Sequence, residues 1–283
     1  MDFKEFLESE SSRQPHYLLI GSPISHSVSP MMHNTALEHH NLKATYHAVA
    51  VRNSEISTLI AHLNRLEFLG ANITIPYKEM LFDAMDTLGM EAAQIGAINT
   101  IVKRDGKIVG ENTDAYGFKV TLEEHENDLS GQRAIIFGTG GATKAITFAL
   151  HQMGVEEIVM VSRRPGRYDD KEGITMCNYE NWSAYAEEAA IIINATPLGM
   201  VPNTDATPVG NDEIYLLEDK ICYDIVYNPR ETTFMKQAKE AGGIPIGGLD
   251  MLIHQGAKSF RLWTGLEFPL GLIKMKLDDV FPY

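Results

Sequence analysis

Cysteine is scarce: Cys177 and Cys222 are the only two in 283 residues. Two thiols cannot build a disulfide framework, and neither sits in a C-x-x-C pair. Reduced, structural thiols in a cytoplasmic protein are expected. Long apolar runs are missing too. No stretch approaches the ~20 residues of a membrane span. Met1-Asp2-Phe3-Lys4-Glu5 is not a basic segment followed by an apolar one, so no signal peptide is expected. Basic residues are the minority: Lys+Arg 24 against Asp+Glu 38 leaves a net charge of −14. A broad basic footprint for nucleic acid, or attraction to an anionic membrane surface, is therefore not expected. Internal repeats and low-complexity segments are absent as well.

What is present is an ordinary globular composition, 44% hydrophobic and 22% charged. At ~150 residues per domain, the length suggests roughly two domains. Residues 1–14 are polar and acidic and read as a leading helix or a loose arm. Tyr17–Ile20, Thr45–Val51 and Gly70–Ile75 then read as strands. A helix starting near Pro30 and an amphipathic one through Ile56, Leu59, Ile60 and Leu63, capped by Asn53 or Ser54, separate them. This alternation predicts a parallel sheet with helices on both faces. A second alternating run holds Ala134–Phe137, Ile158–Val161, Ala190–Ile193 and Ile221–Val226. Such near-continuous apolar runs suit strands buried on both faces. From Leu249 the chain reads as helical. Leu249, Leu252, Ile253, Gly256, Ala257, Phe260 and Trp263 share one face and suggest a return onto the first domain.

The second run opens with a strand, then Gly138-Thr139-Gly140-Gly141, then a helix. Glycines there allow a tight turn and close approach of a pyrophosphate, and the helix N-terminus offers free N–H groups. Thr143 stands where a strict G-x-G-x-x-G/A has Gly or Ala. An ordinary βα turn could carry the same glycines, but the flanking strand and helix favour a dinucleotide. An NAD site places a carboxylate ~20 residues on, to hold the ribose 2′-hydroxyl. Here the next strand ends in Ser162-Arg163-Arg164, with Arg167 behind. Guanidinium groups match a phosphate, so NADP fits better than NAD, although Asp169 and Asp170 keep NAD open. The segment 114–248 carries most of the excess negative charge. Recognition of an anionic cofactor there would be local, through the glycine turn and these arginines.

In the first half, the hydroxyl-rich Ser22–Pro30 loop could bind a carboxylate or a polyol. Lys78 and Asp114 near one substrate hydroxyl would suit proton transfer. His26, His33, His39 and His40 lack a metal-ligand spacing and are read as non-ligands.

Together these residues resemble the shikimate/quinate dehydrogenase family over nearly the whole length after residue 15. Seven blocks carry the resemblance in order: Gly21–Pro30, Gly70–Lys78, Gly96–Thr100, Asn112–Gly117, Gly138–Ala142, Asn194–Gly199 and Gly248–Ala257. It implies an α/β fold of two domains. These are an N-terminal α/β substrate domain, residues 1–113 plus 249–283, and a Rossmann-type NADP-binding domain, 114–248, with the active-site cleft between them. The implied reaction is reversible, NADP-dependent reduction of 3-dehydroshikimate to shikimate, on the route to aromatic amino acids. Lys78 and Asp114 match the family's catalytic pair. Ser27 and Ser29 match the residues that bind the substrate carboxylate, and Tyr227 a tyrosine near it. Thr74, Asn99 and Gln255 match substrate hydrogen-bond partners. Gly138, Gly140, Gly141, Ala142, Ser162, Arg163, Arg164, Thr196 and Gly248 fall at cofactor-binding positions. The family's Asn-Arg-Thr is replaced by Ser162-Arg163-Arg164, and its usual Ala in the glycine turn by Thr139. The first 14 residues have no counterpart. Two alternatives remain: a quinate/shikimate dehydrogenase using NAD or either cofactor, and a non-catalytic cofactor-binding regulator. The implied partners are the small-molecule substrate and cofactor, with no nucleic acid, no membrane and no metal. A homodimer is compatible with the resemblance.

Overall fold

The computed structural model describes residues 1–24, 27–125, 128–165 and 173–281. The chain divides into two units. The first is Met1–Asp114 with Gln255–Leu277, and the second is Ala115–His254 with the residues from Asp278 onward. Both main boundaries fall inside helices. They lie at 114/115 and 254/255, against the 113/114 and 248/249 expected from sequence.

The first unit contains α1 (Phe3–Glu8), β1 (His16–Gly21), α2 (Ser29–His39), β2 (Thr45–Ala50), α3 (Ile56–Leu63) and β3 (Phe68–Ile73). It continues with α4 (Tyr77–Met80), β4 (Thr87–Leu88), α5 (Met90–Ile95), β5 (Thr100–Arg104) and β6 (Lys107–Glu111). The sheet order is β2-β1-β3-β5-β6-β4. β1 pairs in parallel with β2 and β3, as the alternation predicts. β5 and β6 depart from it: they form an antiparallel hairpin that joins β3, so this sheet is mixed. Asp105-Gly106 turns the hairpin, both residues at positive φ, 52° and 76°. That dipeptide is a strong hairpin signal. The N-terminal segment is a helix, not a loose arm. Phe3 and Phe6 of α1 are fully buried in the core with Leu18, Ile20, Val49, Leu59 and Phe68. Neither Asn53 nor Ser54 caps α3; a short 3₁₀ turn over Asn53–Glu55 precedes it.

The second unit contains α6 (Asp114–Glu124, entering from the first unit), β7 (Arg133–Phe137), α7 (Gly141–Gln152), β8 (Glu157–Val161), β9 (Ile174–Cys177) and α8 (Ser183–Ala186). β10 (Ala189–Asn194), β11 (Ile221–Asp224), α9 (Thr233–Ala241), β12 (Ile244–Ile246) and the start of α10 (Gly248–Thr264) follow. The remaining helix, α11, is Leu270–Val280. The sheet order β12-β11-β10-β7-β8-β9 is parallel throughout. Counted along the chain it is the 3-2-1-4-5-6 order of a dinucleotide-binding fold, with β7 as its first strand. Ile135, Phe137, Val159, Val161, Ile192, Cys222, Trp182 and Phe234 form one of its buried clusters. Each buried side chain of this kind contributes roughly 1.5–3 kcal/mol. No described helix is long and apolar enough to cross a membrane.

Candidate active site

In the first unit, the loops after β1 and β3 run side by side. Ser22 N donates to Ile75 O at 2.9 Å, and Thr74 N donates to Ile20 O at 2.9 Å. A side chain at Gly21 would collide with the Thr74 methyl group, which explains a glycine there. Ser27 and Ser29 lie at the entry to α2, where Ser29 N donates to Ser27 Oγ at 3.2 Å and the two hydroxyls are 3.2 Å apart. Two hydroxyls at a helix N-terminus favour an anion, because the first turn's N–H groups have no partner inside the helix.

Lys78 sits on α4. Its carbonyl accepts from Ile98 N at 2.9 Å, which ties this short helix to the segment carrying Asn99. Its Nζ donates to Asp114 Oδ2. Both side chains are largely shielded, 13% and 8% exposed, so the pair is weakly screened. Asp114 Oδ1 accepts from Asn99 Nδ2 at 2.8 Å, while Asp114 N donates to Asn112 Oδ1 at 3.0 Å. Asn99 also donates to Thr113 Oγ1 at 2.8 Å and to Gln255 Oε1 at 3.3 Å. The structure therefore joins Lys78, Asp114, Asn99 and Gln255 by direct hydrogen bonds. Thr74 lies four residues before Lys78 at the end of β3, half-buried.

Behind this group lies a buried polar layer. Ser259, one helical turn after Gln255, is 2.8 Å from Thr100 Oγ1 and 3.1 Å from Thr113 Oγ1. Asn72 donates to Ser259 Oγ at 3.0 Å and accepts from the Tyr46 hydroxyl at 2.8 Å. Sequence reasoning missed Ser259, Thr100 and Tyr46. The available signal for Ser259 was its i+4 spacing from Gln255. His33 is also buried here, stacked 4.4 Å from the Tyr46 ring, and burial pushes its pKa down to about 3.

In the second unit, the candidate cofactor residues fall at the carboxyl ends of parallel strands, where open α/β sheets bind ligands. Gly138 follows β7 at φ 113°, and a Cβ there would stand 2.9 Å from Ala195 O. Gly140 precedes α7 with no side-chain cap on the helix, and the space its Cβ would enter is empty within 4 Å. Gly141 and Ala142 form the first turn. An uncapped helix end with an open approach fits a pyrophosphate. After β8, Ser162 N donates to Cys177 O at 3.0 Å and Ser162 Oγ accepts from Arg164 N at 3.1 Å. This small turn leaves Arg163 and Arg164 exposed. Exposed guanidinium groups fit a 2′-phosphate. Ser25, His26, Arg167, Asp169 and Asp170 lie outside the described residues. The described residues hold no cluster of three His, Cys, Asp or Glu suited to a metal ion.

After β10, Thr196 donates to Asn194 Oδ1 from both its hydroxyl (2.6 Å) and its N–H (3.1 Å), and its hydroxyl accepts from Leu198 N. After β11 comes Tyr227, whose ring is 6.2 Å from that of Phe281. Gly248 opens α10; a Cβ there would collide with Ile225 O. Asp224, wholly buried at the end of β11, was read from sequence only as part of a strand. Its signal was a lone carboxylate in the apolar run Ile221–Val226. Burial pushes its pKa up to about 6, against hydrogen bonds from Thr232, Val226 and Asn194 that lower it.

Comparison with known proteins places these features in one family. The chain matches the model of the shikimate dehydrogenase substrate binding domain over residues 19–101, and that of the shikimate 5′-dehydrogenase C-terminal domain over 248–277. It is 38% identical over 272 residues to the NADP(+) shikimate dehydrogenase of Moorella thermoacetica, covering 92% of each chain. The Thermus thermophilus shikimate 5-dehydrogenase, solved with NADP(H) and shikimate, is 34% identical at a TM-score of 0.83, covering 94% of this chain and 99% of that one. The quinate dehydrogenase of Corynebacterium glutamicum, solved with NAD, is 28% identical at a TM-score of 0.84, covering 94% and 99%.

Proposed function

The chain belongs to the shikimate dehydrogenase family, and on that premise we infer how its own residues carry the reaction. It is an NADP-dependent oxidoreductase acting on a CH–OH group, and its reaction is the reversible reduction of 3-dehydroshikimate to shikimate. NADPH, when bound, supplies the hydride, and the protein supplies the rest. In the reducing direction, Lys78 Nζ gives a proton to the carbonyl oxygen as the alcohol forms; in the oxidising direction it takes that proton back. Asp114 holds the ammonium in place and balances its charge. Asn99, Gln255 and Thr74 hydrogen-bond the substrate hydroxyls. Ser27 and Ser29 hold its carboxylate, with Tyr227 near it. Gly138, Gly140, Gly141 and Ala142 cradle the pyrophosphate. Arg163, with Ser162 and Arg164, would take the 2′-phosphate, Thr196 would contact the cofactor, and Gly248 would meet its nicotinamide region.

The observation that carries this reading is the shielded Lys78–Asp114 pair, tied through Asn99 to Gln255. A regulator that had lost catalysis would have no use for it. Quinate with NAD is the second reading, favoured by the likeness to the quinate dehydrogenase solved with NAD. The exposed Arg163 and Arg164, with no carboxylate among the described residues 162–165 that follow β8, oppose it. The test is an assay of shikimate and quinate, each with NADP and NAD. Shikimate with NADP should give the highest kcat/KM by at least about tenfold, a difference worth ~1.4 kcal/mol in transition-state binding. A preference for quinate with NAD would overturn the reading. The reading also includes a cytoplasmic location, supported by two buried unpaired thiols, and a homodimer of the 31.5 kDa chain, to be checked by light scattering.

A further inference from the structure

The Asp224 carboxylate hydrogen-bonds none of the residues assigned to ligands, yet two of them, Thr196 and Gly248, are held through its partners. Its Oδ1 accepts from Asn194 Nδ2 at 3.0 Å and from Val226 N at 2.9 Å, and its Oδ2 from Thr232 Oγ1 at 2.6 Å. Asn194 uses its other atom, Oδ1, to hold Thr196 N and the Thr196 hydroxyl, and its Nδ2 also reaches Leu198 O at 3.0 Å. Val226, fixed by Asp224, carries the carbonyl that accepts from Gly248 N at 3.3 Å, and it precedes Tyr227. Thr232 caps α9 through Met235 N while donating to the carboxylate. One buried carboxylate thus joins the ends of β10 and β11, the start of α9 and the start of α10.

The arrangement is directional. An ionised carboxylate accepts and never donates, and each group facing this one is a donor. Burying a charge without a cationic partner is expensive unless hydrogen bonds satisfy it, and among the described residues the groups that act on Asp224 are the neutral donors Thr232, Val226 and Asn194. A core residue needed only for packing would not carry that cost, since apolar side chains fill strand ends more cheaply. Polar networks of this kind fix geometry, because each member has one satisfactory orientation.

We propose that Asp224 is a positioning residue for the cofactor: through Asn194 and Val226 it sets the places of Thr196 and Gly248. This rests on the assignment of those two residues given above. With Asp224 ionised the turns are held; with it neutral, one oxygen becomes a donor and the acceptor set is broken.

The test is calorimetric titration of NADP into the full-length protein without substrate, for the wild type and Asp224→Asn. The variant keeps the shape and turns one acceptor into a donor. The dissociation constant for NADP should rise about tenfold at pH 8, while that for shikimate stays within about twofold. The difference between the two proteins should shrink as pH falls through about 6, because the wild-type carboxyl then becomes neutral as well; the 2′-phosphate of NADP titrates alike in both. An unchanged NADP affinity, equal weakening of both ligands, or a difference that is the same at pH 5 and pH 8 would overturn the proposal. Should Asp224→Asn fail to fold, Thr232→Val removes one of the three hydrogen bonds. It should weaken NADP about threefold and move the acid limb of wild-type binding to higher pH; no change in either overturns the proposal. A wild-type protein that binds NADP but turns over neither shikimate nor quinate would sink the functional reading instead.

Discussion

Lys78 donates to Asp114 across 36 residues of chain, from the short helix α4 to the first residue of α6. The pairing depends on backbone arranged elsewhere. The carbonyl of Lys78 is held by Ile98 N, and Thr113 N donates to Asn99 Oδ1 at 2.7 Å. The acid–base group is therefore built by the hairpin of β5 and β6 as much as by α4. Asn99 precedes β5 directly, and Asp114 follows β6 by three residues.

The glycine turn separates folding from binding. Gly138→Ala places a side chain at φ 113° and against Ala195 O, which should cost at least about 1–2 kcal/mol of stability. Gly140→Ala meets empty space. It should change stability by no more than ~1 kcal/mol while weakening NADP about tenfold, because the backbone could no longer approach a pyrophosphate. Denaturant unfolding and fluorescence titration of both variants check the contrast. Gly140→Ala with normal NADP affinity would remove the turn from the site.

Arg163→Ala should weaken NADPH roughly tenfold, the weight of a charge-assisted contact to phosphate, and leave NADH within about twofold. Arg163 is exposed, so the NADPH affinity of the wild type should also fall with added salt more steeply than that of NADH. Titrations at two ionic strengths measure both effects. Equal loss for the two cofactors contradicts the clamp.

Much of this was legible in the chain itself. Continuous β-branched runs marked β7, β8, β10 and β11, because strands buried on both faces need apolar side chains at each position. The β5–β6 hairpin escaped. Its strands are short, each with only an Ile-Val pair beside the charged Lys103, Arg104, Lys107 and Glu111, so they lack such a run; the Asp105-Gly106 turn was the one local signal. Lys78, Asn99, Asp114 and Gln255 were found through motif order, not spacing, since they are brought together from separate segments. Ser259 and Asp224 escaped because each acts on other side chains, and a lone Ser or Asp in an apolar stretch has many ordinary explanations.

The sequence allows a leading helix or a loose arm over residues 1–14, and the burial of α1 has a measurable consequence. Phe6 is fully buried with its ring 5.1 Å from His16, 5.4 Å from His47 and 5.8 Å from His62. Phe6→Ala should destabilise the protein by ~3–5 kcal/mol, read by chemical unfolding. A loss under about 1 kcal/mol would mean that the segment is an ornament on the fold.

Acid should weaken the first unit through His33. Burial lowers its pKa from 6.5 to about 3, so the unfolded chain binds the proton more readily than the folded one. The stabilising effect of the neutral ring is fully present above pH 6.5 and is lost as pH falls towards about 3, at ~1.4 kcal/mol per pH unit. His33→Phe, which keeps the stack on Tyr46, should make the stability–pH slope shallower by about that amount over this window. Unfolding curves at a series of pH values read it directly, and parallel slopes in the two proteins would refute the assignment.

Steady-state kinetics of Lys78→Ala with shikimate and NADP test the central claim most directly. Loss of a proton-transfer group should lower kcat about 100-fold or more, with KM for shikimate changed only a fewfold, because the interaction is made chiefly in the transition state. A kcat close to that of the wild type would contradict the role of Lys78, and with it the chemistry assigned to this site.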